Sequence, residues 1–424
     1  MRESFLHFIW QFQKFNNASL TTHDGQQIQV YAIGNYNTDA GPDFLNAKLL
    51  IGDITWYGHV ELHLRSSDWN RHHHQQDEAY NNVVLHVVWE HDAEVQLANG
   101  QVLPVLELQD RIKPELLKKC NQLIKSPEKI PCADQFGQVK DIDKISMLEQ
   151  VGVMRLKQKS EYILHLLNKN NGNWEETTYQ LLAKNFGFKT NEEPLLKLSQ
   201  SLSHKVIVKH VEKIDQIEAL IFGIAGFLHV DGDAYGSALK KEFSYLSKKY
   251  RLQDLTLLKA EWKFLRLRPG NFPTVRLAQF SSFLSKNVKC FDQFIHFRDG
   301  KELQNMFDFE VSNYWQQHYD FGKLRKRPTK NIGKASIDLI LINSVAPLLA
   351  AYAQYTDEGS YMDKAVELLQ TVKAENNFIS KEWNDLGLKA KDAFDSQAMI
   401  GLRKEFCLKK KCLSCKIGVS LING

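Results

Sequence analysis

Cysteine, proline and one-signed charge are all scarce in this chain. Six cysteines in 424 residues, three of them within nine positions, do not make a disulfide scaffold. Ten prolines and 23 glycines are too few for a collagenous or low-complexity chain. A net charge of +4 names no partner by itself. The most apolar run, Leu339 to Ala353, falls short of the roughly 20 residues that span a bilayer. It is interrupted by Asn343 and Pro347 and reads as a buried helix. The N-terminus has no apolar stretch followed by a small-residue cleavage site. The expectation is a reduced, cytoplasmic protein with no membrane partner.

What is present is ordinary in sum and uneven in distribution. With 43% hydrophobic and 25% charged residues the chain can bury a large core. Its length suggests two to four domains at roughly 100–200 residues each. Residues 1–113 carry 7 Lys+Arg against 14 Asp+Glu, a net of −7, and 9 of the 15 His. The remainder carries 47 against 36, a net of +11.

The first 113 residues read as a small α/β domain. Phe5, Phe8, Ile9 and Phe12 share a helical stripe. Strand patterns follow over 26–33, 44–51 and 54–64, the last two joined by the hairpin dipeptide Gly52-Asp53. A polar segment, 72–81, fits a short helix, and Val83 to Trp89 fits a buried strand. A hairpin around Asn99-Gly100 ends the domain. Residues 114–143 form a connector. From 144 to 424 strand patterns vanish, and a large, mostly α-helical region follows. The expected helices there include 144–167, 215–228, 235–250, 254–264 and 273–284.

Within the α/β domain Asp43 opens one strand, while Glu61 and His63 lie two apart in the next. Residues i and i+2 of a strand share a face, and His59 has the same parity. Two carboxylates with an imidazole can hold Mg²⁺ or Mn²⁺ against a phosphate and activate water. The alternative is a plain solvated strand face with Pro42-Asp43 as turn chemistry. His72, His73 and His74 read as a solvated helix start. Gln76 and Tyr80, four apart, would share a helix face.

Helix, three strands, helix, strand, with Pro42-Asp43 and Glu61-Leu62-His63, resembles the PD-(D/E)XK nuclease superfamily and its restriction-endonuclease-like core. That resemblance covers about 110 residues. It implies a metal-dependent nuclease with Asp43, Glu61 and His63 as catalytic residues. His63 stands where that superfamily carries Lys. A non-catalytic nucleic-acid or protein-binding module on the same scaffold is the alternative. A metalloprotein acting on a small phosphorylated substrate is a third class. The whole chain resembles the uncharacterised bacterial DUF2851 family. The motifs that carry this include Gly41-Pro42-Asp43-Phe44, Gly58-His59-Val60-Glu61-Leu62-His63, Ser67-Asp68-Trp69, Arg266 to Pro273 and Cys412-Leu413-Ser414-Cys415.

Two further groups carry chemistry. Cys407, Cys412 and Cys415 form a C-x4-C-x2-C run that suits Zn²⁺ or an iron–sulfur cluster, with Cys132 as the preferred fourth ligand. Lys409, Lys410, Lys411 and Lys416 are expected to lower the thiol pKa values. Three reduced cysteines in a tail are the plainer account. Arg266, Arg268 and Arg276, together with Arg325, Lys326 and Arg327 of the 324–330 loop, could grip DNA or RNA phosphates. Ordinary solvated or capping cations are the alternative.

Overall fold

The computed structural model describes residues 2–228, 233–328 and 331–423. These fall into two compact units, residues 1–147 with 402–424, and residues 148–401. The packing boundary therefore lies some way past the change of composition at 113. The last residues of the chain pack with the first unit.

The first unit is built on a mixed six-stranded sheet. Helix α1 (Glu3–Gln11) precedes β1 (Ile28–Ala32), β2 (Asn35–Tyr36), β3 (Phe44–Ile51) and β4 (Ile54–Arg65). The short helix α2 (Asp68–Arg71) and two 3-10 turns lead to β5 (Val83–Glu90), and β6 (Val105–Glu107) completes the sheet. The order is β1-β3-β4-β5-β6, with β2 also on β3. The first pairings are antiparallel, whereas β4–β5 and β5–β6 are parallel.

Gly52 sits at φ +58° in the two-residue turn that pairs Ile51 with Ile54. The left-handed conformation suits glycine and closes the predicted hairpin. β5 is apolar because both of its neighbours are parallel strands and both faces are covered. The predicted hairpin at Asn99-Gly100 shrinks to one bridge, Gln96–Val102, and its second arm pairs with β5 instead. In α1, Phe5, Leu6, Phe8, Ile9 and Trp10 are buried, whereas Phe12 faces outward.

The second unit is helical around one large core, with a small hairpin, His318–Asp320 against Lys323–Leu324. Expected helices appear as Ile214–Ile224, Ala234–Tyr250 and Pro273–Lys286. The 254–264 stretch instead forms two 3-10 turns, Gln253–Leu255 and Lys259–Glu261. Among the described residues one helix, Lys334–Thr356, is long and apolar enough to cross a membrane. Some 61% of its apolar window is buried inside the structure, which fits the buried helix expected there.

Candidate metal centre

Asp43 and Glu61 come together where β3 begins beside β4, at the pairing Phe44–Val60. The Glu61 Oε2 accepts from the Asp43 backbone N–H at 3.0 Å. The Asp43 Oδ2 accepts from the Leu62 N–H at 3.0 Å. It also lies 3.2 Å from His7 Nε2, which α1 delivers. His7 Nδ1 stands 3.3 Å from the Tyr36 hydroxyl. Burial opposes charge on His7, but the hydrogen bond and charge of Asp43, helped by Glu3 and Glu61, raise its pKa overall.

Glu61 turns its other oxygen toward imidazoles. Its Oε1 lies 3.4 Å from His74 Nε2 and 3.7 Å from His63 Nε2. One ring nitrogen each from His63, His72 and His74 fall within 4.8 Å of one another. His63 Nε2 is 3.0 Å from His72 Nδ1, and His63 Nδ1 is 2.9 Å from His86 Nε2 on β5. When His63 donates from Nδ1 to His86, the Nε2 lone pair faces the centre. That is how a ligating histidine is usually oriented from its far side. His74 Nε2 is buried and has no hydrogen-bond partner among the described residues.

The sequence folds this way because of one backbone reversal. His73 adopts φ +60°, ending α2 and starting the turn His74–Gln76. The chain thus turns between His72 and His74, and both rings meet His63 while His73 is exposed. The expected helix over 72–81 is replaced by two 3-10 turns, so Gln76 and Tyr80 do not share a helix face. The Asp77 side chain caps the second of them. Trp69, fully buried, closes the floor, with ring centroids 5.3 Å from His74 and 5.5 Å from His86. Tyr80 stacks on His74 at 3.8 Å.

Burial sets the electrostatics. Desolvation, then the neighbouring imidazoles, push His63 down to about 2. The same causes bring His86 to about 3. Both rings are neutral at pH 7, the form that binds metal. Desolvation, then the Asp43 charge, pushes Glu61 up to about 9. A cation among these groups would restore its carboxylate.

The residues expected to act together therefore divide. Asp43, Glu61 and His63 converge. His59 does not join them through a described contact: its Nδ1 accepts from the Asn46 N–H at 3.2 Å, beside a bulge in the β3–β4 pairing. His72 and His74, set aside as a solvated helix start, are in the centre, as are His7 and His86. The signal that could have found them is the concentration of nine His in 113 residues. A cavity of about 800 Å³ lined by Gln13, Asp110, Arg111 and Lys113 among others includes none of the clustered histidines.

The basic residues also divide. Arg266, Arg268, Lys326 and Arg327 are exposed. Arg276 is buried. Its guanidinium bonds Gln279 and Asn271 at 2.9 and 2.7 Å and lies over the Phe188 ring at 4.0 Å. It is an internal tie and not a phosphate grip. Arg325 is half-buried, with Nε donating to the His318 carbonyl at 2.8 Å. Thr329 and Lys330 of the same loop lie outside the described residues.

All six cysteines are free and buried. The expected lowering of the tail thiols by lysines is not found. Burial dominates and pushes Cys412 up to about 11 and Cys132 up to about 12, while Cys407 and Cys415 are also raised.

Compared with known proteins, residues 3–378 match DUF2851, a protein family of unknown function. The chain belongs to that family. The matched span contains the whole histidine and carboxylate cluster of this DUF2851 member and ends before Cys407. No protein of curated function and no solved structure matches the chain.

Proposed function

We propose that the chain is a metal-dependent hydrolase of nucleic-acid phosphodiesters, with the metal held by His63, His72, His74 and Glu61. The observation that carries this reading is three imidazole nitrogens within 4.8 Å of one another beside a buried carboxylate oxygen. An imidazole-rich set with one carboxylate suits Zn²⁺ or Mn²⁺ better than Mg²⁺. Such an ion supplies a hydroxide near neutral pH and stabilises charge on a phosphoryl oxygen. His7, whose pKa the hydrogen bond and charge of Asp43 raise against burial, stands beside the centre. His72 is exposed, which leaves the centre open to a large substrate.

The phosphodiester part of the reading rests on two sequence motifs and the strands that carry them. Helix α1, four strands of which β2 has only two residues, and a short helix with two 3-10 turns lead to the parallel strand β5, with Asp43 just before β3 and Glu61 within β4. The substrate class is taken from the sequence resemblance of Pro42-Asp43 and Glu61-Leu62-His63 to the PD-(D/E)XK nucleases, with imidazoles in place of the lysine. The test is incubation of the purified chain with labelled single- and double-stranded DNA and RNA in Mn²⁺, Zn²⁺ or Mg²⁺. Cleavage that falls at least 100-fold in Glu61→Gln and His63→Ala, and persists in His59→Ala, is expected. No cleavage, or equal cleavage by Glu61→Gln, overturns the reading. Salt-sensitive binding without cleavage would then identify a binding module.

A further inference from the structure

We propose that Cys132, Cys407, Cys412 and Cys415 form a second metal centre, a four-thiolate site for a soft metal. It is independent of the histidine centre. A C-x4-C-x2-C run with one distant cysteine is a spacing known to hold iron–sulfur clusters, and four thiolates also hold zinc. The sequence alone prefers Cys132 as the fourth ligand but does not place it beside the run.

The fold brings the pieces together from positions 270 and more residues apart. Lys410 Nζ donates to the Ser126 and Glu128 carbonyls at 2.6 and 2.8 Å, tying the tail to the connector that carries Cys132. Lys416 N–H donates to the Met147 sulfur at 3.4 Å. Cys132 immediately precedes the 3-10 turn Ala133–Gln138. Cys407 ends a π-helical turn, Leu402–Cys407, and Cys412 opens the 3-10 turn Cys412–Ser414. π-helical turns recur at functional sites. The C-terminal helix Lys416–Asn423 approaches so closely that a Cβ on Gly418 would stand 2.2 Å from the Cys412 carbonyl.

Cys132 is the cysteine of the connector that Lys410 ties to the tail, and all four thiols are buried. Four buried thiols gain nothing as solvent-facing nucleophiles. Their common chemistry is to lose protons together to a cation. Among the described residues the four sulfurs do not form a group within 4.8 Å, as the imidazoles do. A single zinc, about 2.3 Å from each sulfur, would draw them inward, whereas a multi-iron cluster bridges a wider gap.

The test uses the full chain, purified without oxygen and reconstituted with zinc in one arm and with ferrous iron and sulfide in the other. Stoichiometric uptake is expected, lost at least 10-fold in Cys132→Ser and Cys412→Ser and kept in Cys290→Ser and His63→Ala. Iron with acid-labile sulfide and visible absorbance assigns a cluster, and colourless zinc assigns a single ion. Both support the site. A thiol-reactive dye on the wild-type protein gives a readout that needs no variant: metal should mask four of the six free thiols. Uptake of neither metal, uptake that survives the cysteine substitutions, or six thiols equally reactive with and without metal overturns the proposal.

Discussion

Asp43 and Glu61 each hold the other's strand: the Glu61 carboxylate accepts the Asp43 N–H, and the Asp43 carboxylate accepts the Leu62 N–H, both at 3.0 Å. Each acid therefore leaves one oxygen outside the strand clamp, and for Glu61 it is the oxygen facing the imidazoles. A substitution here acts on the fold and on the site together. Asp43→Ala strands a backbone N–H and should cost about 1–3 kcal/mol of stability in urea unfolding. Glu61→Gln keeps an acceptor for the Asp43 N–H, so it should cost less while weakening metal binding more.

His86 is expected to act on metal affinity without being a ligand. His86→Leu removes the partner of His63 Nδ1. Calorimetric titration with Zn²⁺ or Mn²⁺ should show affinity lower by about 10–100-fold, as for other outer partners of metal-bound imidazoles. An unchanged affinity would mean that His63 Nε2 is not a ligand.

The metal-free protein should be most stable near pH 6–7. His63 and His86 are held below their ordinary value of 6.5, so the unfolded chain takes up more protons below that pH. Their contribution is full above 6.5 and is lost as acid is added. Glu61 has the opposite sign: its folded value is about 9, so its contribution is full below about 4.5 and fades as pH rises to 9. Each group changes stability by up to about 1.4 kcal/mol per pH unit in its window. Glu61→Gln should flatten the alkaline arm by on the order of 3 kcal/mol between pH 6.5 and 9, and saturating metal should do the same.

Arg276→Ala should destabilise the second unit by about 3 kcal/mol, because Gln279 and Asn271 lose a buried charged partner. Arg266→Ala should stay within about 0.5 kcal/mol, since Arg266 is exposed. For nucleic-acid binding the order should reverse, with Lys326→Ala and Arg327→Ala changing its salt dependence most.

Much of the fold could be read from pattern alone. The alternation of β3 and β4, the turn at Gly52, the apolar run of β5 and the helical remainder are local properties. The site was half legible. Asp43, Glu61 and His63 follow from strand parity and a short hairpin. His72 and His74 do not, because their convergence depends on the left-handed His73, which no periodicity marks. His7 and His86 reach the centre through helix packing and a parallel pairing, both long-range events. Arg276 misled because cations beside aromatics look the same in sequence whether they stack inside a core or on its surface.

The placement of residues 402–424 in the first unit has a consequence for synthesis. The ribosome delivers the sheet first, but the residues that complete its unit emerge only after 148–401. At about 5–20 residues per second that wait is roughly 10–50 s. During it the sheet-bearing part must persist in the cell without its last segment. A nascent chain stalled before residue 402 should therefore be cut by protease within 1–147 far faster than the released protein.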